Sequence, residues 1–241
     1  MKFTAPDASV EEPGGVPLGG KTHLVVTVHG IRTYGHWQEA LGQLVGSHDS
    51  AAETVHYQFG YFSAIAFLVP FVRDFVVRRF QRSLRRFLSR PYDRVDVVYH
   101  SFGTYLVANA LMRWKATPRP RIHTLIMAAS VLKSNYPIEA LFEGTVRRIV
   151  NECGVRDTVL ILSQLFSVGT GTAGRSGFVG IQDDRFRNRY WEFHHSQYFD
   201  REHQFMRGQW LPLLLGDGPI PPRSLSTPHQ RSPRSPPVSH Q

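Results

Sequence analysis

Residues 95–111, V-D-V-V-Y-H-S-F-G-T-Y-L-V-A-N-A-L, join two different patterns with a single serine between them. The residues before the serine, from position 94 to position 99, are β-branched and apolar in a run short enough for a buried strand. After Ser101 the apolar residues recur at intervals of three and four, which predicts a helix that starts at Phe102. A strand that passes into a helix through one serine makes a sharp turn. Such a turn strains the serine backbone and holds its side-chain oxygen clear of neighbouring side chains.

Gly103 fits this turn, because a side chain two residues after the serine would collide with the chain as it doubles back. Residues 99–103, Y-H-S-F-G, resemble the nucleophile elbow of the α/β-hydrolase superfamily, whose pattern is Gly-x-Ser-x-Gly. The segment departs from that pattern at Tyr99, which stands where the first glycine usually lies. Taken alone, Ser-x-Gly is equally compatible with a serine that only caps a helix. The resemblance implies an α/β fold, with a mainly parallel central sheet flanked by helices on both faces, and serine hydrolase activity.

A second motif upstream carries the same resemblance. Residues 23–28, H-L-V-V-T-V, predict a buried strand, and His29-Gly30 follows it directly. In hydrolases of this superfamily, such a strand leads into the loop whose backbone N–H helps to form the oxyanion hole. The resemblance therefore implies that the N–H groups of Ile31 and Phe102 are the two donors, with Gly30 allowing the backbone to approach the substrate. The alternative is an ordinary turn that ends the strand.

The superfamily places the catalytic acid after the nucleophile and before the histidine. Residues 146–154 predict the next strand, and Asp157 lies just past its end. We therefore expect Asp157 on the face where Ser101 should emerge. Asp157 could instead be the N-cap of a helix over residues 158–166, and the two roles are compatible. Weaker candidates for the acid are Glu152, inside the predicted strand, and the loop residues Asp183 and Asp184.

Two adjacent histidines compete for the role of the base. Residues 189–193, R-Y-W-E-F, predict the last strand, and His194 and His195 follow it. His195 is preferred, because it lies further beyond the strand and because His-Ser with an aromatic residue shortly after resembles the histidine loop of esterase-like families. His194 is the alternative, and both could be surface loop residues. The resemblance thus implies a triad of Ser101, Asp157 and His195 that forms a covalent acyl-enzyme.

The length and composition agree with a single α/β domain. A chain of 241 residues can bury a large core, and its strand and helix signals alternate. We predict a hydrolase-like domain over residues 21–215. Residues 1–20 are rich in Pro and Gly, and residues 216–241 contain seven prolines, so both segments are predicted to be flexible. The N-terminus lacks the basic start and apolar run of a secretory signal, which favours a cytoplasmic location.

Neither a cofactor nor a metal ion is expected. The single cysteine, Cys153, cannot form an internal disulfide and is predicted to be a small buried residue. No cluster of Cys and His has the spacing of a zinc site. Residues 169–174, G-T-G-T-A-G, match the dinucleotide fingerprint, but a helical pattern precedes them where that fingerprint needs a strand. A loop bordering the pocket is the favoured interpretation.

The positive charge of the chain, formally +9, is concentrated in one segment. Eight arginines lie between positions 73 and 94, and residues 71–88 have the pattern of an amphipathic helix. Its basic face is either simply solvated or in contact with an anionic membrane surface or another polyanion. Nucleic acid is the less favoured partner, because the charge is concentrated in this one stretch.

Residues 57–71 are almost entirely apolar and aromatic. The run is too short, and too soon followed by charged residues, for a transmembrane helix. It is either a buried strand, predicted over residues 53–59, that leads into a core helix, or a hydrophobic wall or lid that receives an acyl chain. The sequence therefore predicts a serine hydrolase acting on a small-molecule or lipid ester. The alternative is a catalytically inert hydrolase-fold protein that binds a partner or membrane through its basic helix.

Overall fold

The computed structural model describes residues 22–30, 36–57, 70–159, 170–181, 183–199 and 202–222. Within them, six strands form one sheet in the order β2-β1-β3-β4-β5-β6, and every neighbouring pair is parallel. The predicted parallel sheet is confirmed. The strands are β1 (His23–Val28), β2 (Ala52–Tyr57), β3 (Arg94–His100), β4 (Ile122–Ala128), β5 (Val146–Gly154) and β6 (Phe186–Trp191).

Helices cover both faces of this sheet, as predicted. Those in the described ranges are α1 (His36–His48), α2 (Pro70–Phe87), α3 (Phe102–Met112), α4 (Ala173–Ser176) and α5 (Leu211–Leu215). Two 3₁₀ turns occur at Ile138–Phe142 and Gln197–Phe199, and a π-helical turn at Met206–Trp210 leads into α5. None of the helices in the described part of the chain has the length and apolar character needed to cross a membrane.

The sheet separates two hydrophobic cores. On one face, Val26 of β1 packs in a cluster with Phe80 of α2 and Leu106 of α3. On the other face, its neighbour Val25 packs in a cluster with Leu41 of α1 and with residues of α5. Successive side chains of a strand point to opposite faces, so a strand buried on both sides must be apolar at nearly every position. The continuous apolar runs of the sequence are explained by this double burial.

Strand β4 is absent from the sequence prediction. Its sequence, I-H-T-L-I-M-A, is apolar over its second half, but residues 115–121 before it are rich in proline and basic residues. The strand over residues 146–154 is therefore the second after Ser101 and not the next one. Because β4 lies between β3 and β5, the segments that carry Ser101 and Asp157 come from strands that are not neighbours.

Strand β6 also differs from its predicted limits. Residues 189–193 were expected to form it, whereas it runs from Phe186 to Trp191, in register with Ile149–Gly154 of β5. Phe193 lies beyond the strand and stacks on Trp191, with ring centroids 5.8 Å apart. An aromatic residue packed in a loop has the same local signature as one in a strand, so the pattern placed the end of the strand too late.

The folded region extends past Gly216, where composition placed the start of the tail. The guanidinium of Arg148 donates hydrogen bonds to the carbonyl oxygens of Gly216 and Gly218, at 2.6 and 2.7 Å, and to that of Leu213. Ile220 is only 7% exposed. Residues 216–220 therefore pack against the domain. Composition could not reveal this contact, because prolines after a helix carry no signal of a distant arginine that binds the backbone carbonyls. Residues 1–21 and 223–241 lie outside the described residues.

Candidate active site

Ser101 lies at the sharp turn that the sequence predicted between β3 and α3. Its φ of 53° and ψ of −122° are unusual for a residue with a side chain, and such a conformation costs on the order of 1–3 kcal/mol. The surrounding chain enforces it. The Ser101 N–H donates to the carbonyl of Ala128 in β4 at 2.9 Å, and the Ser101 carbonyl accepts from the backbone N–H and the hydroxyl of Thr104 at 2.9 and 2.6 Å.

Ser101 occupies the N-cap position of α3, but its side chain makes no capping hydrogen bond. The hydroxyl is therefore directed away from the helix. Gly103 is required for close packing, because a Cβ there would lie 2.7 Å from the carbonyl oxygen of Val28. Tyr99 does not open the turn, since its ring is fully buried in the same core cluster as Phe80. The departure from the glycine of the superfamily pattern is thus accommodated in the core.

The structure brings together the three side chains that the sequence singled out. Nε2 of His195 lies 3.0 Å from Oγ of Ser101, and Nδ1 of His195 lies 2.8 Å from Oδ2 of Asp157. Since a carboxylate only accepts hydrogen bonds, Nδ1 carries the hydrogen, and the lone pair of Nε2 faces the serine hydroxyl. Asp157 is fully buried and the His195 side chain is 17% exposed. Such an arrangement can remove the hydroxyl proton when oxygen forms a new bond.

The competing residues lie elsewhere. His194 is exposed, and its backbone N–H donates to Oε1 of Gln197 at 2.6 Å. Glu152 is buried in an ion pair with Arg189. The two loop aspartates pair with nearby arginines, Asp183 with Arg185 and Asp184 with Arg187. The predicted helix that Asp157 would cap falls mostly on residues 160–166, outside the described residues.

Gly30 lies directly against the serine. A Cβ at this position would come within 2.7 Å of the Ser101 Cβ and 3.2 Å of its Oγ, so any side chain would crowd the hydroxyl. His29 precedes it, and Nδ1 of His29 is hydrogen-bonded to the carbonyl oxygen of Gly30. Burial lowers the pKa of His29. Phe102 starts α3, where backbone N–H groups carry the positive end of the helix dipole. Ile31, the other predicted donor, lies outside the described residues.

Sequence reasoning missed His100. Its Nε2–H donates to the carbonyl oxygen of His195 at 2.8 Å, and its ring lies 4.8 Å from the rings of both His195 and Phe199. The side chain is 1% exposed, and burial holds its pKa well below the usual value. The only sequence signal for His100 was its position as the last residue of β3, directly before Ser101. Successive side chains of a strand point to opposite faces, so His100 and Tyr99 must face different sides of the sheet.

The glycine-rich segment packs against residues 129–133, the loop that follows β4. The backbone N–H groups of Gly171 and Gly174 donate to the carbonyls of Val131 and Ser130, at 2.7 and 2.8 Å, and so are already used. Gly169 lies outside the described residues. Cys153 is buried, as predicted, and burial raises its pKa well above the usual value. Among the described residues, no group of three His, Cys, Asp or Glu side chains could hold a metal ion.

Comparisons with known proteins identify this fold. No protein-family model matches the chain, and no curated protein matches it. A solved structure assigned as a cell surface hydrolase from Lactobacillus plantarum WCFS1 is 12% identical with a TM-score of 0.55, covering 82% of this chain and 91% of that one. Esterase PE8 is 15% identical with a TM-score of 0.53, covering 86% and 97%. The chain has the α/β-hydrolase fold.

A third solved structure agrees. The esterase Pf2001 of Pyrococcus furiosus is 10% identical to this chain with a TM-score of 0.52, and the match covers 81% of this chain and 83% of the esterase. In the α/β-hydrolase fold the C-terminal ends of the strands form one edge of the sheet. Ser101 follows β3, Asp157 follows β5 and His195 follows β6, so all three lie at this edge.

Proposed function

We propose that this chain is a serine hydrolase that cleaves carboxylic esters, with Ser101 as nucleophile, His195 as base and Asp157 as the orienting acid. The observation that carries the proposal is the continuous chain of hydrogen bonds from the Ser101 hydroxyl through His195 to Asp157, at 3.0 and 2.8 Å. It starts at a strained backbone position, and strain of this kind persists only where the surrounding structure enforces it. Three segments far apart in the chain supply its members, which chance packing rarely achieves.

The first half of the reaction forms the acyl-enzyme. Oγ of Ser101 attacks the ester carbonyl carbon while Nε2 of His195 takes the hydroxyl proton. Asp157 stays ionised and stabilises the imidazolium through its hydrogen bond to Nδ1. The tetrahedral intermediate then expels the alcohol, whose oxygen receives the proton from His195. Ser101 is left esterified with the acyl group.

The second half returns the enzyme to its starting state. A water molecule attacks the acyl carbon, and His195 takes its proton. The bond between the acyl carbon and Oγ of Ser101 breaks, the carboxylic acid leaves, and the proton passes from His195 to Ser101. Each tetrahedral intermediate carries a negative oxygen. We assign its stabilisation to the N–H of Phe102 at the start of α3 and, as predicted from the sequence, to that of Ile31; one such donor contributes about 10²–10³-fold in rate.

An ester is the proposed substrate class, since two of the solved structures that share this fold are esterases. The fold hosts amidases and peptidases as well, so the fold does not choose the bond. A lipid or long-chain acyl ester remains a hypothesis that stems from the apolar residues 57–71, most of which lie outside the described residues.

Hydrolysis of p-nitrophenyl esters of increasing acyl length tests this function. We expect wild-type turnover that is lost in Ser101→Ala and reduced about 10²–10⁴-fold in His195→Ala. His194→Ala is the matched control and should retain activity within about twofold, because its side chain is exposed. Wild-type protein that is folded but hydrolyses none of the esters would contradict the proposal and favour an inert hydrolase-fold protein.

A further inference from the structure

The exposed face of helix α2 is aromatic at its N-terminal end and basic along the rest of the helix. Phe71 is 78% exposed and Phe75 is 46% exposed, which is unusual for phenylalanine. Arg78, Arg82 and Arg86 are exposed as well. These five residues follow one another at intervals of four, three, four and four, so they form a single stripe along the helix. We call it the α2 stripe. The opposite side of the helix, including Val76, Phe80 and Leu84, is buried in the core.

The charge of the α2 stripe is not neutralised within the described part of the chain. No carboxylate there forms an ion pair with Arg78, Arg82 or Arg86. Asp74, the one acidic residue of the helix, forms its ion pair with Arg113, just after α3, at 2.6 Å. The hydrogen bond from Arg113 is the main cause that lowers the pKa of Asp74, and the charge of Arg78 makes a smaller contribution. Arg85, which is also exposed, lies over the ring of Trp114 at 5.1 Å. A row of guanidinium groups that form no ion pair with the described carboxylates raises the local concentration of anions.

The aromatic end of the α2 stripe lies toward the C-terminal ends of the strands, where Ser101 also lies. Phe80 contacts Tyr57, the last residue of β2, with ring centroids 4.8 Å apart. The helix therefore passes the C-terminal edge of the sheet near Phe80. At 1.5 Å per residue, Phe71 extends about 14 Å beyond that point. Arg82 and Arg86 lie on the other side, toward the N-terminal edge.

We propose that the α2 stripe docks on an anionic phospholipid membrane, with Phe71 and Phe75 inserted among the lipids and the arginines on the headgroups. A helix with an apolar end, a basic face and low overall hydrophobicity lies in the plane of such an interface. Phosphate and carboxylate headgroups complement guanidinium groups, and the acyl chains beneath them supply an apolar environment for the two phenylalanines. Docking would hold the Ser101 edge close to the lipid. That an ester in the membrane is the substrate rests on the proposed function, whereas docking itself does not.

Co-sedimentation with lipid vesicles tests the docking, using the full chain with Ser101→Ala so that no lipid is consumed. We expect binding to vesicles of phosphatidylcholine with 30% phosphatidylserine, and much weaker binding to phosphatidylcholine alone. Replacing Arg78, Arg82 and Arg86 by Gln should weaken binding about 100-fold, as each basic residue near an anionic surface contributes roughly fivefold. Replacing Phe71 and Phe75 by Ser should weaken binding to the anionic vesicles more than added salt weakens it. Unchanged thermal unfolding would establish that both variants are folded.

A charge-matched control separates the α2 stripe from net charge. Arg121, Arg147 and Arg207 are exposed and lie outside α2, so their replacement by Gln removes the same charge. We expect this control to bind within about threefold of the parent. Equal losses in both triple variants, or no binding to anionic vesicles, would overturn the proposal. Tighter binding to duplex DNA than to vesicles would assign the α2 stripe to nucleic acid. A dimer that dissociates when Phe71 and Phe75 are replaced by Ser would assign it to a second copy of the chain. Vesicle binding without any ester hydrolysis by wild type would count against the proposed function alone.

Discussion

The imidazole of His100 donates its Nε2–H to the carbonyl oxygen of His195 at 2.8 Å. The residue just before the proposed nucleophile thereby holds the backbone of the proposed base. Both histidines come from strand ends that are far apart in the sequence. The bond fixes the tautomer of His100, because a carbonyl can only accept, and it ties the loop after β6 to the end of β3.

We expect His100→Phe to lower kcat by up to about tenfold with little change in KM. The ring is kept, but the donor that positions His195 is lost, and a buried hydrogen bond contributes about 0.5–1.5 kcal/mol. His100→Gln, which retains an N–H donor, should recover much of the loss. Steady-state kinetics on a short ester measures both. Equal kcat values in wild type and His100→Phe would mean that the bond does not position the base.

The stability of the fold should decline below pH 6.5. Burial lowers the pKa of His100 and of His29, so the unfolded chain binds more protons than the folded one at mildly acid pH. The stabilisation is complete above about pH 6.5 and is lost as pH falls toward the folded pKa values, at up to about 1.4 kcal/mol per pH unit for each histidine. Urea unfolding at pH 7.5, 6.5 and 5.5 measures it. His100→Gln should have a shallower slope, and an identical slope would contradict the assignment.

Two glycines predict opposite effects of adding one methyl group. Gly103→Ala places a Cβ 2.7 Å from the backbone oxygen of Val28, which cannot move aside, and we expect a loss of about 1–3 kcal/mol in the free energy of unfolding. Gly46→Ala in α1 meets nothing within 4 Å and should stabilise by about 0.5–1 kcal/mol. Chemical unfolding of both variants checks the difference. Similar values would show that α3 is not packed against β1 as closely as described.

Glu152 has a structural role that distinguishes it from Asp157. Its carboxylate accepts hydrogen bonds from the side chains of Arg189, Trp191 and Trp210, all buried. Glu152→Gln leaves the charge of Arg189 buried without its partner, and we expect a loss of about 3–5 kcal/mol in the free energy of unfolding.

The matched control is Glu192→Gln, because Glu192 forms an exposed ion pair with Arg156. Exposed pairs contribute at most about 1 kcal/mol, so this variant should unfold close to wild type. Urea unfolding of the two variants side by side makes the comparison. A Glu152→Gln protein as stable as the control would mean that the ion pair does not stabilise the fold.

The parts of the fold that sequence could predict are those with local signatures. The turn at Ser101 needs a buried strand, a serine and a helix in immediate succession, and each has its own pattern in residues 95–111. His195 could be preferred over His194 because it lies further beyond the predicted strand, and that distance can be counted in the sequence. Double burial accounts for the apolar runs at residues 24–26 of β1 and 97–99 of β3, so the existence of both strands was also predictable.

What could not be predicted depends on contacts between distant segments. The hydrogen bond of His100 to His195 joins residues 95 positions apart. Arg148 holds the carbonyls around Gly216 from 68 positions away, which no composition of the tail reveals. Strand β4 was missed because the polar residues in its first half resemble those of a loop. Only its pairing with β3 and β5 identifies it as a strand.

Labelling with a fluorophosphonate probe at neutral pH tests the central claim most directly, because the probe phosphonylates only a serine that a neighbouring base activates. We predict one adduct per chain, located on Ser101 by peptide mass spectrometry, no adduct in Ser101→Ala, and labelling about 10²–10⁴-fold slower in His195→Ala with His194→Ala unchanged. A folded wild-type protein that forms no adduct, or a Ser101→Ala variant that is labelled as fast as wild type, would contradict it.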